Sequence, residues 1–336
     1  MIEKAIGKLV ESIHLTSDEA EEVMDQIMNG DATEAQIGAY LVALRMLGES
    51  PEEIVGSVRS MRSKSTKIIS SHPNILDGVG TGGDGTNTFN ISTTSALIVS
   101  ATGQVVAKHG NRSVSSNSGA ADVLKELGVN IEISPEKIGN CLDEVGIAFL
   151  FAPLLHGAMK HAIGPRRELA MRSIFNVMGP LTNPANAETL LVGVYSEMLT
   201  ELIADVLSKL DCKRALVVHG LDGMDEITLC TSTKVSEWNG KEINTYTISP
   251  EDFGLQKAES VELLGGDPKE NAQITRRILD GEKGAKRDIV LMNVSAALLV
   301  SGNVDNFLDG VNLAAETIDN GDASKKLDQL IEVTNS

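Results

Sequence analysis

The sequence predicts an α/β fold, with a small N-terminal helical domain followed by a larger α/β domain on a central, mostly parallel sheet flanked by helices. Three observations carry this. Residues 1 to about 70 read as helices, the chain from Ile75 onward alternates short apolar runs with helical patterns, and the polar signatures fall where those runs end. Strand–helix alternation calls for a parallel sheet covered on both faces, and in such sheets ligands sit beyond the carboxyl ends of the strands.

The helical part is set by its caps. Thr16 and Glu19 form a capping box, after which Ala20, Val23, Met24, Ile27 and Met28 share one helical face until Asn29-Gly30 stops it. Thr33 with Gln36 opens a second helix through Leu41 and Leu44 to Gly48. Ser50-Pro51-Glu52-Glu53 opens a third, with proline at its favoured first position. So short a bundle has too little core of its own, and its apolar faces are expected to pack on the larger domain and on a second subunit.

In the second part, strands are predicted at 75–79, 105–108, 147–151, 190–194, 215–219 and 289–293. Helices are predicted over 92–101, 121–127, 199–210 and 269–279. With 336 residues the chain can hold two domains, and 42% apolar with 23% charged residues suits a globular protein. The net charge of −18 opposes non-specific binding to nucleic acid or anionic membrane, so an anionic ligand needs locally gathered cations or a metal. Cys141, Cys212 and Cys230 are widely spaced, without a C-x-x-C pair, and are expected to be reduced and partly buried. No signal sequence opens the chain and no apolar run approaches a membrane span, so a cytoplasmic location is expected.

Four clusters carry the chemistry. The first is the run Ile75 to Thr94, where a strand, the glycines Gly78, Gly80, Gly82, Gly83 and Gly85, and a hydroxyl-rich helix start make an anion cradle. Gly78, Gly80 and Gly83 fit a dinucleotide fingerprint, but Asp84 would repel a pyrophosphate unless a cation stood between them. No lysine follows at the P-loop position. The second cluster, Lys108 to Gly119, ends a strand with Lys108, His109, Arg112, two asparagines and four serines, which suits a polyanion unless it is a solvated loop. The third, His156 to Pro184, sets Lys160, Arg166, Arg167 and Arg172 among small and apolar residues. It suits a carboxylate on an apolar body, or else charges complementing helix dipoles. Of Arg166 and Arg167 only one can face a site, since helix neighbours diverge by about 100°. In the fourth, Asp222, Asp225 and Glu226 follow a strand in a glycine-containing loop, which suits oxygen ligation of Mg²⁺ or an ordinary acidic turn. Together they describe a polyphosphate site beside a basic-apolar pocket. No Ser-His-Asp or Cys-His pairing is recognisable, so positioning and charge stabilisation fit better than covalent catalysis.

Gly80-Thr-Gly-Gly-Asp84, Asn90-Ile-Ser-Thr93, Lys108-His-Gly-Asn-Arg112, the Arg-Arg-Glu-Leu run at 166, Phe175-Asn176 with Gly179-Pro-Leu-x-Asn-Pro184, and His219-Gly-x-Asp-Gly-x-Asp-Glu226 resemble the anthranilate phosphoribosyltransferase family, over nearly the whole chain and in order. The resemblance implies transfer of the phosphoribosyl group of 5-phosphoribosyl 1-pyrophosphate to the amine of anthranilate, giving N-(5-phosphoribosyl)anthranilate and pyrophosphate, in tryptophan biosynthesis. It implies a homodimer formed through the helical domain, with a small domain of residues 1–70, joined by helices from about 156–185, hinged to an α/β domain of residues 71–336. By position it implies a phosphoribosyl pyrophosphate site of Gly80, Gly83, Asp84, Thr88, Asn90, Ile91, Ser92, Thr93, Lys108, His109, Gly110, Asn111, Arg112, Ser113, Val114, Ser115, Ser116 and Ala120. Ser92, Asp225 and Glu226 are implied as Mg²⁺ ligands, and Gly80, His109, Asn111, Arg166, Gly179 and Pro180 as the anthranilate side, with Lys108, Asn111 and Arg166 catalytic. An aniline-type amine is neutral at pH 7, which accounts for the missing strong base.

Four positions depart from the family's pattern. Ala120 stands where a serine is frequent, at the cost of one hydrogen bond of about 1 kcal/mol. Gly157 replaces a frequent proline, Gly164 a valine and Ala170 a glycine. The rival readings are a pyrimidine nucleoside phosphorylase-like transferase, which would not need the Asp225–Glu226 pair, and a non-catalytic nucleic-acid-binding homologue, which the charge opposes. An NAD-dependent oxidoreductase is disfavoured by Asp84.

Overall fold

The computed structural model describes residues 1–112 and 118–336. The candidate residues Ser113, Val114, Ser115 and Ser116 therefore lie outside the described residues. Four helices come first: α1 (Ile2–Val10), α2 (Ser17–Asn29), α3 (Glu34–Leu47) and α4 (Pro51–Lys64). The capping box read at Thr16 forms, and the helix starts read at Thr33 and Ser50 are capping boxes too, each hydroxyl accepting from the third backbone N–H and each Glu or Gln accepting in return. Gly30 ends α2 at φ 82°.

The second part alternates as expected. In chain order it runs β1 (Leu76–Gly80), α5 (Ile91–Ala101), β2 (Val106–Gly110), α6 (Ala120–Glu126), α7 (Pro135–Glu144), β3 (Ile147–Phe151), α8 (Ala152–Leu155), α9 (Lys160–Leu169) and α10 (Ile174–Met178). There follow β4 (Thr189–Gly193), α11 (Leu199–Ser208), β5 (Arg214–Gly220), β6 (Thr233–Trp238), β7 (Ile243–Ile248), α12 (Pro268–Leu279), α13 (Ala285–Ser301), α14 (Phe307–Asp319) and α15 (Asp322–Asn335).

Two expectations are corrected. Residues 289–293 are not a strand but the middle of α13, whose side chains are buried nearly all round, so no polar face breaks the apolar run. A fully buried helix and a buried strand look alike over five residues, and only the length of the whole run separates them. The hairpin of β6 and β7 is absent from the predicted strands, although Asn239-Gly240 between the two is a turn signal.

The sheet runs β3-β2-β1-β4-β5-β6-β7, with β1 to β5 parallel and the last two antiparallel. From β1 the chain moves one way through β2 and β3, then returns to lay β4 on the other side. The crevice outside the strand ends at that reversal is where open sheets bind ligands, and Gly80 of β1 and Gly193 of β4 face each other there. Side chains alternate across the sheet. Leu76, Val106 and Leu191 meet the layer of α5 and α12 to α15, whereas Ile75, Ala107 and Leu190 meet the layer that includes the N-terminal helices, α7 and α11. Helix α9 lies against α2 and α3, and α10 against α3 and α4. Cys141 and Cys212 are buried and Cys230 is partly buried, all three as free thiols.

Ala170, after α9, adopts φ 48° and ψ 32°, a left-handed conformation that its Cβ disfavours. Replacing it with glycine is expected to stabilise the fold by about 1 kcal/mol, the relieved strain exceeding the extra chain entropy. A urea midpoint that rises at constant slope is the expected result, and an unchanged or lower midpoint would show no strain at this position.

Candidate active site

The site begins with two missing side chains. A Cβ on Gly80 would strike the Asp225 carboxylate, and one on Gly193 would strike the Asp225 carbonyl. Glycine at both strand ends lets the loop of residues 221–229, which follows β5, lie across the mouths of β1 and β4. Beyond Gly80 the chain turns sharply, with Gly82 at φ 70° and Gly83 at φ 76°. Thr81 secures the turn: its N–H donates to Gly193 O at 2.9 Å and its hydroxyl accepts from Tyr195 N–H at 3.1 Å.

Against this turn stand the carboxylates. Gly82 N–H donates to Asp225 Oδ2 at 2.6 Å, and Ser92 N–H, in the first turn of α5, donates to Glu226 Oε1 at 3.2 Å. The two acids thus occupy the backbone donors of the anion cradle. Asp84 stands beside them, its Oδ2 3.5 Å from Asp225 N and its Oδ1 accepting from Thr86 N–H. Burial and then the charge of Asp84 push the Asp225 carboxyl above the usual carboxylate range, and burial and then Asp225 push Glu226 up. Buried Lys108 answers from β2, itself pushed down by burial and held up by Asp77, Glu226 and Asp225. Adjacent shielded carboxylates with Asp84 beside them offer oxygen ligands of the kind a hard divalent cation such as Mg²⁺ takes. Ser92, Asp225 and Glu226 are the residues that would hold it. Asp222 does not join them, because its two oxygens accept from Met224 N–H at 3.3 Å and Thr228 Oγ1 at 2.6 Å and close its own turn.

Strand alternation splits the second cluster. Lys108 lies on the α5 face beside Thr93 and Leu97, and His109 falls on the opposite face, 5.1 Å from the ring of His156. The buried carboxylate of Asp77 anchors this region, accepting from His109 N–H at 3.2 Å and from Asn183 Nδ2 at 2.8 Å. Asn183 also donates to Ala107 O at 2.8 Å. Burial first and His156 second push His109 down to about 3, and burial first and Lys67 second push His156 down to about 4. Both rings are therefore neutral at pH 7. Gly179 and Pro180 form a short turn, and the Gly179 backbone works against the downward shift of His109.

The basic segment divides as helix geometry requires. Arg166 lies 4.8 Å over the Phe175 ring and is pushed down by burial, with no ion pair to it among the described residues, whereas Arg167 is exposed. Arg172, which the sequence names among the four cations of the third cluster without a role, reaches the glycine turn. Its guanidinium donates to Gly83 O and stacks 4.1 Å over Tyr195, tying the basic segment to the glycine turn.

Other candidates serve in ways the spacing does not disclose. Asn90 does not cap α5 with its side chain; its Nδ2 donates to Ser118 O at 3.2 Å and its Oδ1 accepts from Asn271 Nδ2 at 3.0 Å. Thr88 bridges to Leu264, Ile91 is buried, and Thr93 is buried with its hydroxyl unpartnered among the described residues. A Cβ on Gly110 would meet the Phe149 ring and Ala120, which explains the glycine there. Asn111 is exposed and accepts from Arg112 N–H at 2.7 Å. The Arg112 fork stands 3.6 Å from Glu132 and 5.7 Å over the Phe151 ring.

Residues 3–65 match the helical bundle domain of the Glycosyl transferase family, and residues 72–324 match the a/b domain of that family. A relative from Acetivibrio thermocellus, named anthranilate phosphoribosyltransferase, is 54% identical over 336 residues, covering 100% of this chain and 97% of its own. The anthranilate phosphoribosyltransferase of Thermus thermophilus superposes with a TM-score of 0.94 at 40% identity over 99% of both chains. The Saccharomyces cerevisiae enzyme in complex with PRPP and Mg superposes with a TM-score of 0.91 at 28% identity, covering 99% of this chain and 98% of that one.

The two buried imidazoles make stability depend on pH. Their folded pKa values lie below the unfolded value of about 6.5, so the unfolded state binds more protons and stability falls as pH drops below it. Asp77, pushed up to about 6 by burial, acts in the opposite sense, so wild type and variant must be compared. His156→Asn is expected to lose less stability than wild type in urea unfolding between about pH 7 and pH 5, and parallel losses would refute the neutral buried imidazole.

Proposed function

The chain belongs to the anthranilate phosphoribosyltransferase family, and we propose that the crevice at the ends of β1, β4 and β5 is where it transfers the phosphoribosyl group of 5-phosphoribosyl 1-pyrophosphate to the amine of anthranilate. The products are N-(5-phosphoribosyl)anthranilate and pyrophosphate, in tryptophan biosynthesis. The observation that carries this placement is the pair Asp225 and Glu226, two shielded carboxylates resting on the N–H donors of an anion cradle.

Gly80, Gly83, Asp84, Thr88, Asn90 to Thr93, Lys108 to Ser116 and Ala120 are assigned to the phosphoribosyl pyrophosphate, and Ser92, Asp225 and Glu226 to Mg²⁺. Mg²⁺ bound there supplies positive charge for the pyrophosphate group. The turn and the start of α5 offer that anion backbone N–H groups, and Lys108 adds a cation from the sheet. Arg166 is assigned to the carboxylate of anthranilate, since its guanidinium rests on an aromatic ring and among the described residues pairs with no acid. Neutral His109, with Gly179 and Pro180, lines the approach for an apolar ring, and Asn111 orients the amine. That amine carries its lone pair free at pH 7, so holding it against the ribose C1 is the larger task.

Residues 1–70, with helices from about 156–185, are proposed as one small domain hinged to residues 71–336, pairing with a second copy as a homodimer. A cytoplasmic location and no nucleic-acid partner complete the reading; among the described residues no helix is long and apolar enough to cross a membrane. A pyrimidine nucleoside phosphorylase-like transferase would bind a single phosphate, and the Asp225–Glu226 pair would have no task there.

The test follows the fluorescence of anthranilate. It should decay only when protein, phosphoribosyl pyrophosphate and Mg²⁺ are all present; phosphate-dependent nucleoside cleavage instead would overturn the activity. Arg166→Ala is expected to raise KM for anthranilate by about thirtyfold, the worth of one charged hydrogen-bond pair, with little change for phosphoribosyl pyrophosphate. Equal effects on both substrates would remove Arg166 from its role.

A further inference from the structure

Asn293 stands in the middle of α13, 1% exposed, in a run of apolar neighbours. Its carboxamide grips the backbone of Ile227, the residue after Glu226, on both sides. Ile227 N–H donates to Asn293 Oδ1 at 3.1 Å, and Asn293 Nδ2 donates to Ile227 O at 2.9 Å. The second Nδ2 hydrogen goes to Ile289 O at 2.9 Å, one turn back on the same helix. Both donors and the acceptor are engaged, so the side chain has one orientation. A helix thereby offers the loop the same pair of bonds that a neighbouring strand would.

The loop needs such a hold. Asp225 and Glu226 are adjacent acids at a shielded strand end, so like charge presses the loop to open. Among the described residues Glu226 is tied by one bond, to Ser92 N–H, and behind it lies a small cavity lined by Ser95, Ala96, Val99, Leu191 and Ala297. Asn293 closes that cavity on the α13 side. The cavity leaves a small space beside the Glu226 side chain. The fixed point is the Ile227 peptide.

We propose that Asn293 is a positioning residue, which by clamping the Ile227 peptide aims the Asp225 and Glu226 carboxylates jointly toward the crevice at the spacing a divalent cation requires. It touches neither substrate nor ion and acts through the loop alone. The proposal rests on reading these two acids as cation ligands. Outer partners that orient ligating groups are typically worth about 10- to 100-fold in metal affinity, and an effect in that range is expected here.

The experiment titrates the full-length protein with Mn²⁺, the free ion being read from its paramagnetic resonance signal. Asn293→Ala should weaken Mn²⁺ binding by about tenfold or more. Met292→Ala, a fully buried neighbour on the same helix, should lower stability and leave Mn²⁺ binding at the wild-type value. Wild-type Mn²⁺ affinity in Asn293→Ala, or an equal loss in Met292→Ala, overturns the proposal. The double variant Asp225→Asn, Glu226→Gln separates the two levels. If it binds Mn²⁺ as wild type does, the cation reading fails; if it loses Mn²⁺ while Asn293→Ala keeps it, the positioning role alone fails. Where Asn293→Ala does not fold, amide exchange in the wild type decides. Ile227 N–H should exchange only through global opening, and fast exchange there overturns the clamp.

Discussion

The constraint on which this structure turns is negative charge kept away from water at the mouth of a parallel sheet. Asp225 and Glu226 lose hydration and repel each other, and Asp84 adds to the pressure. Each is compensated by a backbone donor, from Gly82 in one case and from the positive end of α5 in the other. Much else follows from that arrangement. Gly80 and Gly193 must lack side chains so that the loop can cross, Gly82 must adopt positive φ so that its N–H can face the acid, and Lys108 must be buried nearby. The cradle is thus complete around acids before any anion arrives. A cation that draws those acids off the Gly82 and Ser92 donors would at the same moment free the donors for phosphate.

The two faces of the sheet divide the labour. Successive residues of one strand, Lys108 and His109, face different layers, so a cation for phosphate and a neutral ring for an apolar substrate are set back to back by the period-two pleat alone. Asp77 and Asn183 lock this junction by bonding the backbones of β2 residues. Arg172 joins the halves by reaching the carbonyl of Gly83.

Local physics makes most of the fold legible. The helix starts at Thr16, Thr33 and Ser50 depend on residues three apart, and all three form where the sequence places them. Residues 289–293 read as a strand because a helix buried on all sides loses its period, and the β6–β7 hairpin escapes the strand pattern although Asn239-Gly240 marks it. The candidate site is legible by residue type and strand end, since Gly80, Lys108, Asp225 and Glu226 do converge. What no spacing discloses is partner choice across the chain. Gly82 and its acid are 143 positions apart, and whether Asp222 or Asp225 turns inward depends on whether Thr228 is there to receive it. Asn293 has a signal, a lone amide in an apolar run, but its meaning requires knowing which backbone it meets.

The central claim is that Asp225 and Glu226 hold a cation while the glycine turn and the start of α5 hold phosphate. A crystal of the protein grown with phosphoribosyl pyrophosphate and Mn²⁺, with data collected at the manganese edge, tests it most directly. The expected result is an anomalous peak beside Asp225, Glu226 and Ser92, with the pyrophosphate oxygens on the Gly82 and Ser92 N–H groups and both carboxylates released from them. Manganese elsewhere, with Asp225 still bonded to Gly82, would contradict the account.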